Sequence, residues 1–174
     1  MRLRRTSSGH SIKFDGEERD LLAHLATTLS DYLIEWADLD SSGDDLFESL
    51  ASQMAGVDDP NRSPLVERLF PDAYRDDPRA ASEFRRFTER EQARAKVEAL
   101  HTVLTDLRAP GPAVRVPPEH FEAWIKTITS LRLMLSVRIT EPPDHDLDDD
   151  ALDELAGLTA INDWLAWLLE CLLD

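Results

Sequence analysis

The side chains best able to do chemistry cluster near the C-terminal end of the chain. Asp144, His145 and Asp146 are followed by three further aspartates at 148–150. Carboxylate and imidazole groups can bind metals, but a calcium-binding loop needs a central glycine and a ligand spacing that this segment lacks. The chain also shows no phosphate-binding glycine loop, nucleophile elbow or zinc-binding cysteine pair. We therefore expect an acidic loop without a metal, and no cofactor.

The other histidines that stand out indicate packing or surface roles rather than acid–base chemistry. His24 and His101 lie on predicted helices, and His120 lies in the first turn of another helix with no evident partner. General acid–base catalysis requires a histidine that is held within hydrogen-bonding reach of its partner. The sequence therefore predicts a protein that is not an enzyme, and we assign no catalytic residue.

Cys171 is the only cysteine in the chain, so no internal disulfide can form. Two interpretations of this thiol stay open. In the first, Cys171 is a small apolar side chain packed among leucines. In the second, it is redox-active and meets its own copy across the two-fold axis of a homodimer.

Arginines recur every fourth residue in the longest predicted helix, which begins at Pro78. Arg86, Arg90 and Arg94 therefore share one stripe of the helix surface. The stripe could be a solvated face with neighbouring glutamates as local partners. Alternatively, it could be a docking stripe for an acidic surface, which belongs either to a partner protein or to this protein itself.

The C-terminal helix has apolar residues over more than one face. Leucines and an isoleucine fill one face, and Trp164, Trp167 and Cys171 fill the neighbouring one. Tryptophan is enriched among the residues that anchor protein interfaces. Two copies of this helix could pair in a homodimer, or the N-terminal hairpin and the first helix could cover the second face within one chain.

Two segments carry a family resemblance. The chain reads Leu69-Phe-Pro-Asp-Ala-Tyr-Arg-Asp-Asp-Pro and then Glu83-Phe-Arg-Arg-Phe-Thr-Glu. These segments resemble an actinobacterial domain-of-unknown-function family that includes an oxidative-stress transcriptional regulator, and the resemblance extends over the whole chain. It implies transcription regulation through RNA polymerase or a sigma factor. Redox sensing in the family involves paired cysteines, and the single Cys171 departs from that pattern.

Composition narrows the class of protein further. The chain has 174 residues and a formal net charge of −16, which disfavours direct binding to the DNA backbone and favours basic protein partners. Glu170 interrupts the longest apolar run, so no membrane span is expected. No signal peptide is recognisable, which predicts a cytoplasmic protein. A regulator that acts through protein contacts is favoured, and an adaptor or assembly protein for proteolysis or sulfur metabolism is the alternative.

The pattern of elements predicts a single, mainly α domain over residues 1–174. Residues 1–14 read as a β-hairpin with a net charge of +4, typical of a charged edge strand or of an arm that contacts DNA. Residues 15–174 read as a bundle of about five to six helices, and Val114–Val116 as a third short strand. The predicted helices follow Asp15, surround Leu50, follow Ser63, span Pro78 to Arg108, follow Pro117 and span about Asp149 to Leu173.

Overall fold

A computed structural model of the chain describes residues 1–39, 63–72, 78–140 and 149–174, with the backbone alone for residues 78–87. Over these ranges the fold is mainly α, and a small antiparallel sheet lies at the N-terminus, as the sequence predicts. Two sequence predictions lie outside the described residues: the short helix around Leu50 and the acidic loop around His145.

The sheet has three antiparallel strands in the order β1-β2-β3. They are β1 (Arg2–Thr6), β2 (Gly9–Lys13) and β3 (Val114–Val116). Ile12 pairs with Leu3 on one side and with Val114 on the other. Ile12, Val114 and Val116 are buried, so one face of the sheet packs on the core. The third strand predicted from the sequence is therefore present, and it joins the hairpin.

Five α-helices occur in the described residues: α1 (Gly16–Trp36), α2 (Pro64–Leu69), α3 (Pro78–Arg108), α4 (Phe121–Thr140) and α5 (Asp149–Leu173). A short 3-10 helix, Pro118–His120, leads into α4. Local capping explains where two of these helices, α1 and α2, begin. The Asp15 N–H donates to Glu18 Oε2 at 2.8 Å, and the Val66 N–H donates to the Ser63 hydroxyl at 3.3 Å.

Side-chain contacts join α1 to residues 90–108 of α3. Arg19, in the first turn of α1, reaches the backbone at the end of α3, and Ser30 meets His101. Arg90, in the first half of α3, reaches the carbonyl of Asp38 just beyond α1. Later residues of α1 therefore meet earlier residues of α3, so the two helices are antiparallel.

Helix α4 is the centre of the bundle, since it contacts all four of the other described α-helices. Its core side chains, Trp124, Ile128, Leu131 and Leu135, are almost completely inaccessible to solvent. Burying a side chain of this size contributes about 1.5–3 kcal/mol to the free energy of unfolding. Helix α5 packs on α4 from one side, which leaves its opposite side facing outward.

Candidate functional site: the outer face of the C-terminal helix

Helix α5 is buried along one face only. Leu165, Leu168 and Leu172 are at most 1% exposed and face the core. Large apolar side chains that are exposed occur at three positions in the described residues, and all three lie on this helix: Leu152, Trp167 and Leu173. Trp167 is the largest of them and is 45% exposed. We use the term "outer face" for Leu152, Trp167 and Leu173. An apolar surface of this kind is typical of a binding site for another macromolecule.

Trp164 has a different environment from Trp167. Its ring lies edge-on to Phe14 with 6.4 Å between ring centroids, and Phe14 also stacks on Trp124 at 6.5 Å. The end of the hairpin segment therefore covers Trp164 within the same chain, as one of the two sequence interpretations expects. Trp167 is not covered in this way, so it is the tryptophan that is available to a partner.

Acidic groups surround the outer face. Residues 149–174 contain seven Asp or Glu residues and no Lys or Arg. One of these acids, Glu154, has its charge matched by Arg138 at 2.8 Å. At the end of the helix, Arg5 Nη1 donates to the Asp174 carbonyl oxygen at 3.2 Å. Asp163 and Glu170 are exposed and lie within one helical turn of Trp167, so the acids are interspersed with the apolar side chains along this side of the helix.

Cys171 is half-buried and lies four residues after Trp167, on the same side of α5. Burial raises the pKa of its thiol, and the nearby carboxylates of Asp174 and Glu170 raise the pKa further. The nucleophilic form of cysteine is the thiolate, so these surroundings slow the reaction of Cys171 with oxidants at neutral pH. A redox role for Cys171 stays a prediction, and these surroundings weigh against it.

The arginine stripe does not form one uniform surface. Arg94 is exposed and pairs with Glu91 at 3.2 Å within its own helix. Arg90 is half-buried, and its Nη2 donates to the Asp38 carbonyl oxygen at 3.0 Å. The Arg86 side chain lies outside the described part. Arg90 thus helps to hold α3 against the end of α1, whereas Arg94 offers a surface charge. The predicted docking role of the stripe stays a prediction.

Two polar contacts escaped the sequence analysis. His120 does have a partner: its Nδ1 lies 3.0 Å from both carboxylate oxygens of Asp106, which also accepts from Trp124 Nε1 at 2.9 Å. His101 Nε2 lies 3.1 Å from Ser30 Oγ. A proline-rich turn and a strand separate Asp106 from His120 in the sequence. Helical spacing predicts contacts only within one helix, so it could not predict this hydrogen bond.

The expectation that the chain has no membrane span stays a prediction. By length and composition, α5 is the one helix in the described ranges that could cross a membrane. Glu170 does not prevent this, because Asp163 and Glu170 are the only charged residues among positions 156–173. The criterion is weak, since core helices of soluble proteins also satisfy it. The three buried leucines show that part of this helix belongs to the bundle.

The described residues define a mainly α protein with a small antiparallel sheet at its N-terminus. The chain belongs to the family described as "Domain of unknown function (DUF2017)", whose model matches residues 1–174. Neither the curated proteins nor the solved structures that were compared with the chain gave a match.

Proposed function

We propose that this protein is a non-enzymatic, cytoplasmic regulator that acts through protein contacts made by the outer face of α5. One observation carries the proposal: the exposed large apolar side chains of the described residues all lie on this helix. Tryptophan is enriched among the side chains that anchor protein interfaces, so the exposed Trp167 is the side chain we propose as the anchor. The partner we propose therefore has an apolar patch with basic surroundings.

The process we propose is transcription regulation in the oxidative-stress response, through RNA polymerase or a sigma factor. The resemblance of residues 69–78 and 83–89 to a regulator-containing family supports this choice. The net charge of −16 also supports a protein partner over naked DNA, because acidic surfaces repel the phosphate backbone. The isolated protein should therefore bind duplex DNA weakly and without sequence preference at physiological salt.

The test is a direct binding measurement with purified RNA polymerase core enzyme and purified sigma factors. Wild-type protein should bind one of them saturably, and Trp167→Ala should weaken binding by about tenfold or more, as is common for an interface anchor. Thr28→Ala is the control, since Thr28 is exposed on α1, a different helix from the one that carries the outer face. This control should bind like the wild type.

Sedimentation in reducing buffer separates a heterologous partner from a second copy of the chain. One outcome is that the wild-type protein forms a stable dimer, that Trp167→Ala dissociates this dimer, and that no polymerase component binds. In that case the outer face serves self-association, and the proposed regulation through polymerase is wrong. Equal binding of polymerase by wild type and Trp167→Ala would also exclude the outer face as the docking site.

A further inference from the structure

A polar cavity lies between α1 and α3, away from the outer face of α5. Its volume is about 390 Å³. Helix α1 contributes Thr27, Ser30 and Asp31 to the lining, and helix α3 contributes His101, Thr105 and Arg108. On α3 these positions are three or four residues apart, and on α1 both Ser30 and Asp31 lie one turn after Thr27, so each helix contributes polar side chains to one side of the cavity. The volume is large enough for a small organic molecule and its hydration water.

Hydrogen bonds hold the polar side chains that line the middle of the cavity in place. Ser30 is almost fully buried, and its Oγ lies 3.1 Å from His101 Nε2. The hydroxyls of Thr27 and Thr105 donate to carbonyl oxygens of their own helices, Ala23 at 2.9 Å and His101 at 2.8 Å. Each threonine oxygen therefore keeps lone pairs that can accept a hydrogen bond from a ligand.

A serine next to a histidine could suggest a nucleophile, but the backbone argues for binding instead. Ser30 lies inside α1, where backbone N–H groups already donate to carbonyl oxygens one turn earlier. Acyl transfer needs free N–H donors that stabilise the developing oxyanion. An interior helical position offers none, so the Ser30–His101 pair shapes the cavity without supplying a reaction.

Two opposite charges lie at the two ends of the cavity. Asp31 and Arg108 both line it and both are exposed, yet neither forms an ion pair or a hydrogen bond in the described part of the chain. Arg108 lies seven residues beyond His101, a rise of roughly 10 Å along α3. Helical side chains tilt toward the N-terminus of their own helix. Because α1 and α3 are antiparallel, Asp31 and Arg108 lean toward each other across the cavity.

We infer that this cavity binds a small zwitterion whose carboxylate and ammonium groups lie at opposite ends of a short carbon chain, as in an ω-amino acid. The carboxylate would pair with Arg108 and the ammonium group with Asp31, while the hydroxyls accept further N–H donors. A simple anion would be repelled by Asp31, and a simple cation by Arg108. A zwitterion satisfies both charges, and Leu104, which is 4% exposed, gives its carbon atoms an apolar contact.

The test is a titration followed by the backbone amide signals of residues 27–31 and 101–108 in nuclear magnetic resonance spectra. The probes are the standard amino acids and γ-aminobutyrate, with acetate and methylammonium as half-molecules. At least one zwitterion should bind saturably, and about tenfold more tightly than either half-molecule, because it forms two charge-assisted contacts instead of one. Asp31→Asn and Arg108→Gln should each weaken its binding by about the same factor.

Matched controls are available on the same surface. Asp20→Asn changes an exposed acid of α1 and Arg115→Gln an exposed arginine of β3, and neither residue lines the cavity. Both controls should bind the zwitterion like the wild type. The inference is wrong if no probe binds saturably, or if acetate binds as tightly as any zwitterion and Asp31→Asn leaves that binding unchanged. The titration does not depend on polymerase binding. The zwitterion inference and the proposed regulatory function can therefore fail separately.

Discussion

The guanidinium group of Arg19 closes the C-terminal end of α3: its Nε donates to the Leu107 carbonyl oxygen at 2.6 Å, across 88 positions of sequence. Its Nη2 donates to the Ala109 oxygen at 2.6 Å and its Nη1 to the Gly111 oxygen at 3.3 Å. The last carbonyls of a helix have no partner inside that helix, and a cation there also meets the negative end of the helix dipole. Arg19 thus satisfies these groups from a neighbouring helix.

Replacing this arginine should destabilise the fold. Arg19→Gln should lower the free energy of unfolding by about 2 kcal/mol, because a charged donor and its hydrogen bonds to backbone oxygens are lost. Urea unfolding measures the loss. Arg115→Gln, at an exposed position of β3, should change stability by less than about 0.5 kcal/mol. Equal unfolding midpoints for the two variants would contradict the capping role.

The turn of the hairpin should tolerate no side chain at Gly9. Gly9 has φ of 113°, and a Cβ added there would lie 2.2 Å from the Val116 carbonyl oxygen. Gly9→Ala should therefore cost about 2 kcal/mol or more, since the substitution combines a strained backbone with displacement of β3 from β2. Gly16→Ala is the control, because nothing lies within 4 Å of its added Cβ. Thermal unfolding should show a lower Tm for Gly9→Ala alone.

The sequence was sufficient to predict the elements that depend on local signals. Proline at Pro64 and Pro78 marked two helix starts, and the Asp15–Glu18 cap marked a third. Apolar spacing identified the face of α4 that forms the core. The third strand was recognised from Val114 and Val116, whose alternation with Arg115 matches a strand with one buried face.

Contacts between distant residues could not be predicted in the same way. No local pattern marks Arg19 as a capping residue, because its three carbonyl partners come within reach only when α1 and α3 lie antiparallel. Trp164 and Trp167 formed one apolar group in the sequence. The structure separates them, because Phe14 covers Trp164 while Trp167 stays exposed. The position of the hairpin determines which of the two tryptophans is covered, and local sequence patterns do not predict that position.

Asp106 should be essential for stability. Its carboxylate is 9% exposed and accepts hydrogen bonds from His120 and from the fully buried Trp124. Asp106→Asn keeps the shape but removes the negative charge and leaves one acceptor oxygen in place of two, so the charge-assisted hydrogen bonds are lost and we expect a loss of about 2 kcal/mol. Urea unfolding of this variant is compared with Asp153→Asn, at an exposed position of α5. The expectation fails if both variants unfold at the wild-type midpoint.

Cys171 should react slowly in the folded protein. Burial and the neighbouring acids Asp174 and Glu170 raise the pKa of its thiol, so the thiolate is scarcer in the native state than in the unfolded chain at the same pH. Alkylation by iodoacetamide at pH 8 should therefore be slower for the native protein than for protein in urea. The native rate should rise about tenfold per pH unit until the pH reaches the raised pKa.

The two acids near this thiol provide the variant that isolates the electrostatic part of the effect. Asp174→Asn combined with Glu170→Gln removes two negative charges that disfavour the thiolate, so it should lower the pKa of Cys171 and speed alkylation at pH 8. Asp153→Asn, far along the same helix, should leave the rate unchanged. A native rate above the rate in urea would show that the fold activates the thiol. In that case Cys171 would regain the redox role that its surroundings now argue against.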